Sequence, residues 1–192
     1  MSFWRRLRDR ITRNRAARDE AARDGAARDG AARDGAAPRA ALPGGRPRVA
    51  VAFDSTAHTW LFRIARERQA ISEFCAALER RLPADYASAD ALRAFQVAFD
   101  ELLTNVVMHA DGPLDAPIEV LLKRDPVEVT ALLRYRASAY DPTARPQPDT
   151  EASIADREIG GLGVHLVRQL MTRFEHRYVD GWNELTLARP RE

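Results

Sequence analysis

Three polar residues with helical spacing are the first sign of chemistry in this sequence. Glu101, Asn105 and His109 follow one another at intervals of four, so on a helix they form one stripe, offset from the apolar face. A carboxamide oxygen can ligate a hard cation, and a carboxylate can orient or deprotonate a nucleophile. The same stripe is also typical of a solvated helix face, so on its own it does not identify a site.

A glycine-rich segment, GGLG at 160–163, is the second such feature. Glycines let backbone amides approach an anion closely, and the start of a helix favours negative charge. The segment is not a P-loop, because no Lys-Ser/Thr pair follows the glycines, and it is not a Rossmann motif, because a long loop rather than a strand precedes it. Taken alone, it could equally be a simple turn of the chain.

Together, these two features resemble the histidine kinase-like (GHKL) family of ATP-binding domains, which share the Bergerat fold. The resemblance covers about residues 60–189. It is carried by FDELLTNVVMHA at 99–110, YDP at 140–142, DREIGGLGVHLVRQLM at 156–171 and DGWNELTL at 180–187. The third segment is most similar to the small anti-sigma-factor serine kinases of bacteria.

The resemblance implies a role for each matching residue. Asn105 would hold a Mg²⁺ ion that bridges the nucleotide phosphates. Glu101 would act as general base on a serine hydroxyl of a partner protein. The backbone amides of Gly161 and Gly163 would cradle the phosphates.

The resemblance also implies a lid and a set of partners. Residues 141–159 would form the lid over ATP, and Arg157 would reach the γ-phosphate. Kinases of this branch phosphorylate an anti-anti-sigma partner with a STAS fold and bind a sigma factor, usually as homodimers. The implied function is therefore an anti-sigma regulator that acts by partner switching in the bacterial cytoplasm.

One family motif is missing. The family carries Asp-x-Gly at the end of the second central strand, where the Asp accepts a hydrogen bond from the adenine amino group. This sequence has Tyr135, Arg136 and Ala137 in those slots. Neither Tyr nor Arg supplies a carboxylate, and a missing buried partner costs about 1–3 kcal/mol. Asp141 is a substitute acceptor to consider. The alternative function is a nucleotide-independent pseudokinase that works as a binding module.

The hydrophobic periodicity predicts the elements that would position these residues. We expect strands at 49–53, 60–64, 118–123, 128–135, 174–179 and 183–187, and helices over 71–82, from Ser88 or Asp90 to 110, and from 160. Runs of strands and helices in this order predict an α+β fold. The fold would be a two-layer sandwich, a mixed and mostly antiparallel sheet with helices on one face.

The N-terminal quarter of the chain differs from the rest. Residues 1–48 contain 13 Arg and six acidic residues, a net charge of +7, whereas the remainder has 17 basic and 22 acidic residues, a net charge of −5. Residues 1–15 combine one apolar helical face with arginines, which indicates an arm for an anionic membrane surface or a partner, or a solvated tail. Residues 16–48, with their AARDG repeats, are predicted to be a disordered linker, and residues 49–192 the kinase-like domain.

Composition excludes several classes of protein. With 192 residues, 45% hydrophobic and 30% charged, the chain suits one globular domain. The lone Cys75 excludes a disulfide framework and a multi-cysteine metal site. No apolar run approaches the ~20 residues of a membrane span, and no signal peptide is evident. The acidic body argues against direct nucleic-acid binding.

Overall fold

The structure, a computed structural model, describes residues 47–55, 58–144 and 162–192. The predicted arm (1–15) and most of the predicted linker (16–48) lie outside these ranges. Within them, the elements in chain order are β1 Val49–Asp54, β2 Thr59–Ile64, helix α1 Arg68–Arg81, helix α2 Ala89–His109, β3 Ile118–Arg124, β4 Glu128–Arg136, a 3₁₀ turn Pro142–Ala144, helix α3 Leu162–Leu170, β5 Arg173–Val179 and β6 Trp182–Pro190.

The strands of the described residues form one open, six-stranded sheet in the order β1-β2-β3-β4-β6-β5. Each of its five pairings is antiparallel. The predicted α+β sandwich is therefore confirmed, and its sheet is antiparallel in every described pairing rather than mixed. The β5–β6 turn follows its sequence signature, because Asp180 and Gly181 both adopt positive φ, +52° and +78°, as a tight hairpin turn requires.

The main core lies between the three described helices and one face of the sheet. Alternate residues of the central strands point to this face, including Phe62, Val120, Leu133 and Leu185, all nearly inaccessible to solvent. These four are aligned across β2, β3, β4 and β6 by the strand register. Burying such side chains removes apolar surface from water, which stabilises the folded state by about 25 cal/mol per Å².

The opposite face of the sheet carries a row of alternating charges. Glu119 on β3 accepts hydrogen bonds from Arg63 on β2 (Nε to Oε1, 2.9 Å) and from Arg134 on β4 (Nη2 to Oε2, 2.5 Å). Arg134 also approaches Glu184 on β6 at 4.0 Å, and its guanidinium stacks on Trp182, 4.4 Å from the ring centroid. Glu119 and Arg134 are both buried, so each charge depends on its partners.

Helix α2 crosses the core and carries the predicted stripe. It starts where the sequence predicts, because the Ser88 hydroxyl accepts a hydrogen bond from the Ala91 amide at 3.1 Å. Its apolar side packs through Phe99 against Phe74 of α1, with ring centroids 5.3 Å apart. None of the helices in the described residues is long and apolar enough to cross a membrane.

Candidate functional site

A cavity of about 840 Å³ opens between helix α2, the end of β4 and the start of α3. This size lies within the usual range of ligand-binding clefts. Its described walls are formed by Glu101, Leu102, Asn105, Val106, His109, Ala110, Asp111, Tyr135, Ala137, Ser138, Ala139, Tyr140, Pro142, Leu162, Gly163, Val164, Leu166 and Leu185. Among these residues there is no Lys or Arg, and Glu101 and Asp111 are the acids.

The predicted stripe faces this cavity. Glu101, Asn105 and His109 all line it, while Leu102, Leu103 and Val106 on the neighbouring faces of α2 are buried in the core or at its boundary. Glu101 and Asn105 are partly buried, and His109 is exposed. The helix therefore presents a carboxylate and a carboxamide, one turn apart, to the same cavity.

Gly163 lies against the carboxylate of Glu101. A β-carbon at Gly163 would overlap with Glu101 Oε2 and would also meet Cδ at 2.6 Å. Gly163 stands in the first turn of α3, where backbone N–H groups have no partner within the helix and attract anions. The first turn of α3 and the Glu101 carboxylate thus meet in the cavity, and the backbone amides of this turn, together with the Asn105 carboxamide, are groups that suit phosphate oxygens and a hard cation.

The end of β4 forms another part of the cavity wall. Tyr135 and Ala137 line it, and Tyr135 is only 4% exposed. Burial raises the pKa of the Tyr135 phenol to about 12, so the hydroxyl stays protonated at neutral pH. This end therefore has a neutral aromatic wall where the family has its strand carboxylate.

A buried arginine ties helix α2 to this strand end. Arg66, 8% exposed, donates from Nη2 to the carbonyls of Val106, at 3.3 Å, and Ala110, and from Nη1 to the carbonyl of Arg136 at 3.3 Å. A cation at the last carbonyls of a helix is favourable. Beside it, Gly112 packs so tightly on the Arg136 carbonyl that a β-carbon would overlap with that oxygen.

The segment 137–140, which follows β4, is held from both sides. Asn183, fully buried on β6, accepts from the Tyr140 amide and donates to the Ser138 carbonyl, both at 2.9 Å. From the other side, Asp111 accepts from the Ser138 amide at 2.8 Å and from its hydroxyl at 2.6 Å. The hydroxyl and amide of Ser138 lower the pKa of the Asp111 carboxyl.

The remaining predicted residues are placed elsewhere or lie outside the described ranges. Asp141 is not among the lining residues. Its Oδ1 accepts from the amide and hydroxyl of Thr143 at 2.8 and 2.6 Å and lies 3.6 Å from Nδ1 of His176. Arg157 and Gly161, together with most of the predicted lid, lie outside the described residues.

Sequence reasoning did not identify Asp111, Ser138, Asn183 or Arg66 as parts of the site. Asp111 carried only a helix-ending signal, and its partner Ser138 is 27 residues away. Asn183 contacts residues 43 and 45 positions earlier. No local spacing encodes these contacts, so only the fold reveals them.

Comparison with known proteins agrees with this geometry. Residues 64–189 match the family model of the histidine kinase-like ATPase domain. A 90-residue stretch is 38% identical to the serine/threonine-protein kinase BtrW of Bordetella bronchiseptica, and it covers 46% of this chain and 63% of that relative. The match therefore spans less than two thirds of the relative's length. Because the family match extends over more than half of the sequence, the chain belongs to the histidine kinase-like ATPase domain family, whose name implies ATP binding.

Proposed function

We propose that this protein is an ATP- and Mg²⁺-dependent serine/threonine protein kinase with a regulatory role. The observation that carries the proposal is the pairing of Glu101 and Asn105 on one wall of the cavity, opposite the glycine at the start of α3. The similarity to a serine/threonine-protein kinase supports the same class of reaction.

Each residue of the chain has a distinct task in this proposal. The Asn105 carboxamide oxygen ligates Mg²⁺, a hard cation that prefers oxygen ligands. Backbone amides in the first turn of α3, near Gly163, receive phosphate oxygens. The described cavity walls contain no Lys or Arg to neutralise the phosphate charge. A metal ion held by Asn105 would supply that positive charge.

Glu101 serves as the proton acceptor. The hydroxyl oxygen of the protein substrate forms a bond to the γ-phosphorus, the bond from that phosphorus to the β–γ bridging oxygen breaks, and ADP leaves with the bridging oxygen. The hydroxyl proton passes to the Glu101 carboxylate. We propose that Gly161 and Arg157, by their place in the motif, complete the phosphate contacts.

The biological setting is proposed from the resemblance to anti-sigma-factor kinases. The substrate would be a STAS-domain anti-anti-sigma factor. In its unphosphorylated form, this partner would compete with a sigma factor for binding to this protein, which would act as a homodimer. A regulator of this kind works in the cytoplasm without contacting nucleic acid itself. Residues 1–15, rich in Arg and aromatic side chains, would make peripheral contact with a membrane or scaffold.

A specific observation favours a second candidate, a nucleotide-independent binding module of the same fold. Tyr135 and Ala137 occupy the slots in which the family carries Asp and Gly, and both line the cavity. A protein that had lost the base contact would retain only its partner-binding surfaces.

Calorimetric titration with ATP and Mg²⁺ separates the two candidates. The kinase proposal expects saturable binding by the wild type that Asn105→Ala abolishes. Gln96→Ala is the matched control, because Gln96 lies on the same helix and bonds Glu79 outside the cavity, so this variant should bind as the wild type does. No heat of binding at millimolar ATP would overturn the kinase proposal and leave the binding module.

A further inference from the structure

The carboxylate of Asp111 lines the cavity near the end of β4, where the resemblance places the adenine base, and it comes from the segment after helix α2 rather than from the strand. Glu101 and Asp111 are the acidic residues among the described lining residues. Glu101 lies against Gly163 at the phosphate end. Asp111 follows the C-terminus of helix α2 and bonds Ser138, the residue directly after Ala137. Its carboxylate therefore lies beside the end of β4.

Two hydrogen bonds to the carboxylate and one contact of each neighbouring residue hold this segment in place. Both carboxylate oxygens are bonded by Ser138. The next residue, Gly112, packs directly on the carbonyl of Arg136, and the preceding residue, Ala110, offers its carbonyl to Arg66. The side chain is thus held against the strand end, although it is itself exposed.

The carboxylate keeps free hydrogen-bonding capacity. An ionised carboxylate has about four lone-pair sites, and Ser138 uses one on each oxygen. Asp141, in contrast, accepts two bonds from Thr143 on one oxygen and does not line the cavity. Asp111 is therefore the better-placed acceptor of the two.

We propose that Asp111 accepts a hydrogen bond from the exocyclic amino group of the adenine base. The inference rests on the proposed binding of ATP to this cavity and identifies the residue that selects the base. In this arrangement, the acceptor has moved from the strand to the segment after α2, and the Tyr135 phenol forms the wall beside it.

Two nucleotides that differ only in the exocyclic amino group can test this hydrogen bond. ATP carries the amino group, and purine riboside triphosphate has hydrogen in its place, so both can make the same phosphate and metal contacts. The full-length protein is titrated with each nucleotide in the presence of Mg²⁺. If Asp111 accepts a hydrogen bond from the amino group, the wild type should bind ATP at least about tenfold more tightly than purine riboside triphosphate.

The variant Asp111→Asn isolates the residue. Its amide oxygen can accept from the Ser138 N–H and its NH₂ can donate to the Ser138 hydroxyl, so the link to the strand end is kept. We expect a loss of about tenfold in ATP affinity and no change for purine riboside triphosphate. Asp115→Asn is the matched control: it removes an exposed carboxylate from the same segment after α2 that does not line the cavity, and it should keep the preference for ATP.

Three results would overturn the inference. Equal loss of both nucleotides in Asp111→Asn would mean that Asp111 only positions the wall. Equal binding of both nucleotides by the wild type would mean that the amino group is not read, while the proposed kinase function stood. If the wild type bound neither nucleotide, the proposed function would fail, and this inference with it. The comparison of the two nucleotides on the wild type needs no substitution, so it tests whether the amino group is recognised even if a variant does not fold.

Discussion

The α-carbon of Gly163 faces the carboxylate of Glu101 so closely that a methyl group there would overlap with Oε2. The first turn of α3 and the proposed general base on α2 therefore share one small space. The atom in the way is the far end of a flexible side chain, so a substituent would displace the carboxylate rather than disrupt the fold.

Gly163→Ala should separate catalysis from stability. The free energy of unfolding should change by no more than about 1 kcal/mol, because alanine is the better helix former. Phosphoryl transfer to the proposed STAS-domain partner should fall by about tenfold or more, because the proposed base is pushed out of position. Thermal unfolding and transfer from radiolabelled ATP measure the two effects. Gln169→Ala, on the same helix but not in the cavity wall, should leave both unchanged; a stable, fully active Gly163→Ala would contradict the role of this contact.

Chelation of Mg²⁺ should remove most of the ATP affinity. The described cavity walls contain two carboxylates and no Lys or Arg, so a bare triphosphate meets net negative charge. With excess EDTA we expect at least a tenfold increase in the dissociation constant measured by calorimetry. ATP that binds equally well without divalent cations would show that phosphate charge is neutralised by other groups.

Asn183→Ala should destabilise the protein and its base-binding wall. The substitution removes the buried side chain that accepts from the Tyr140 amide and donates to the Ser138 carbonyl, two residues that are themselves exposed. A typical intramolecular hydrogen bond contributes about 0.5–1.5 kcal/mol, so urea denaturation should show a measurable loss of stability when both bonds are removed. Thr186→Ala, on the same strand but on the other face of the sheet, serves as control and should have a small effect. A loss no larger than that of the control would contradict the proposed anchoring.

The Asp111–Ser138 link should depend on pH in the acid range. Because the folded protein lowers the pKa of Asp111, the link stabilises the fold above the unfolded-state pKa of about 4 and is lost as pH falls through the lower folded value. Urea unfolding of the wild type and Asp111→Asn should differ by a constant amount near neutral pH. The difference should shrink below about pH 4. A difference that persists unchanged in acid would show that the charge of Asp111 is not involved.

The elements were predictable because their signals are local. Helix α2 begins at Ser88, one of the two predicted caps, and the turn at Asp180 and Gly181 follows directly from residue type. The stripe of Glu101 and Asn105 follows from a 3.6-residue period, so its common exposure to one space could be predicted as well. Phe174 lies in β5, as the predicted strand 174–179 requires.

The base-binding end was not predictable from the sequence. The missing Asp-x-Gly motif was evident from Tyr135 and Ala137, but a replacement could be sought only near them in sequence, where Asp141 was the acceptor to consider. Asp111 is 24 residues before Tyr135 and comes close only because Arg66 and Gly112 bring the end of α2 to the end of β4. Contacts of this kind depend on chain topology, which no periodicity records.

The row of charges on the far face of the sheet has a consequence for the site. Arg63, Glu119 and Arg134 pair only in one alignment of their strands. A slip by one residue would turn these charges into the core, and a slip by two would part buried ions from their partners. Such a slip would also carry the end of β4 by about 7 Å past the end of α2. The row of charges therefore fixes the register of β4 in the sheet. Through this register, it also fixes the position of the end of β4, a wall of the cavity, relative to the helix that carries Glu101 and Asn105.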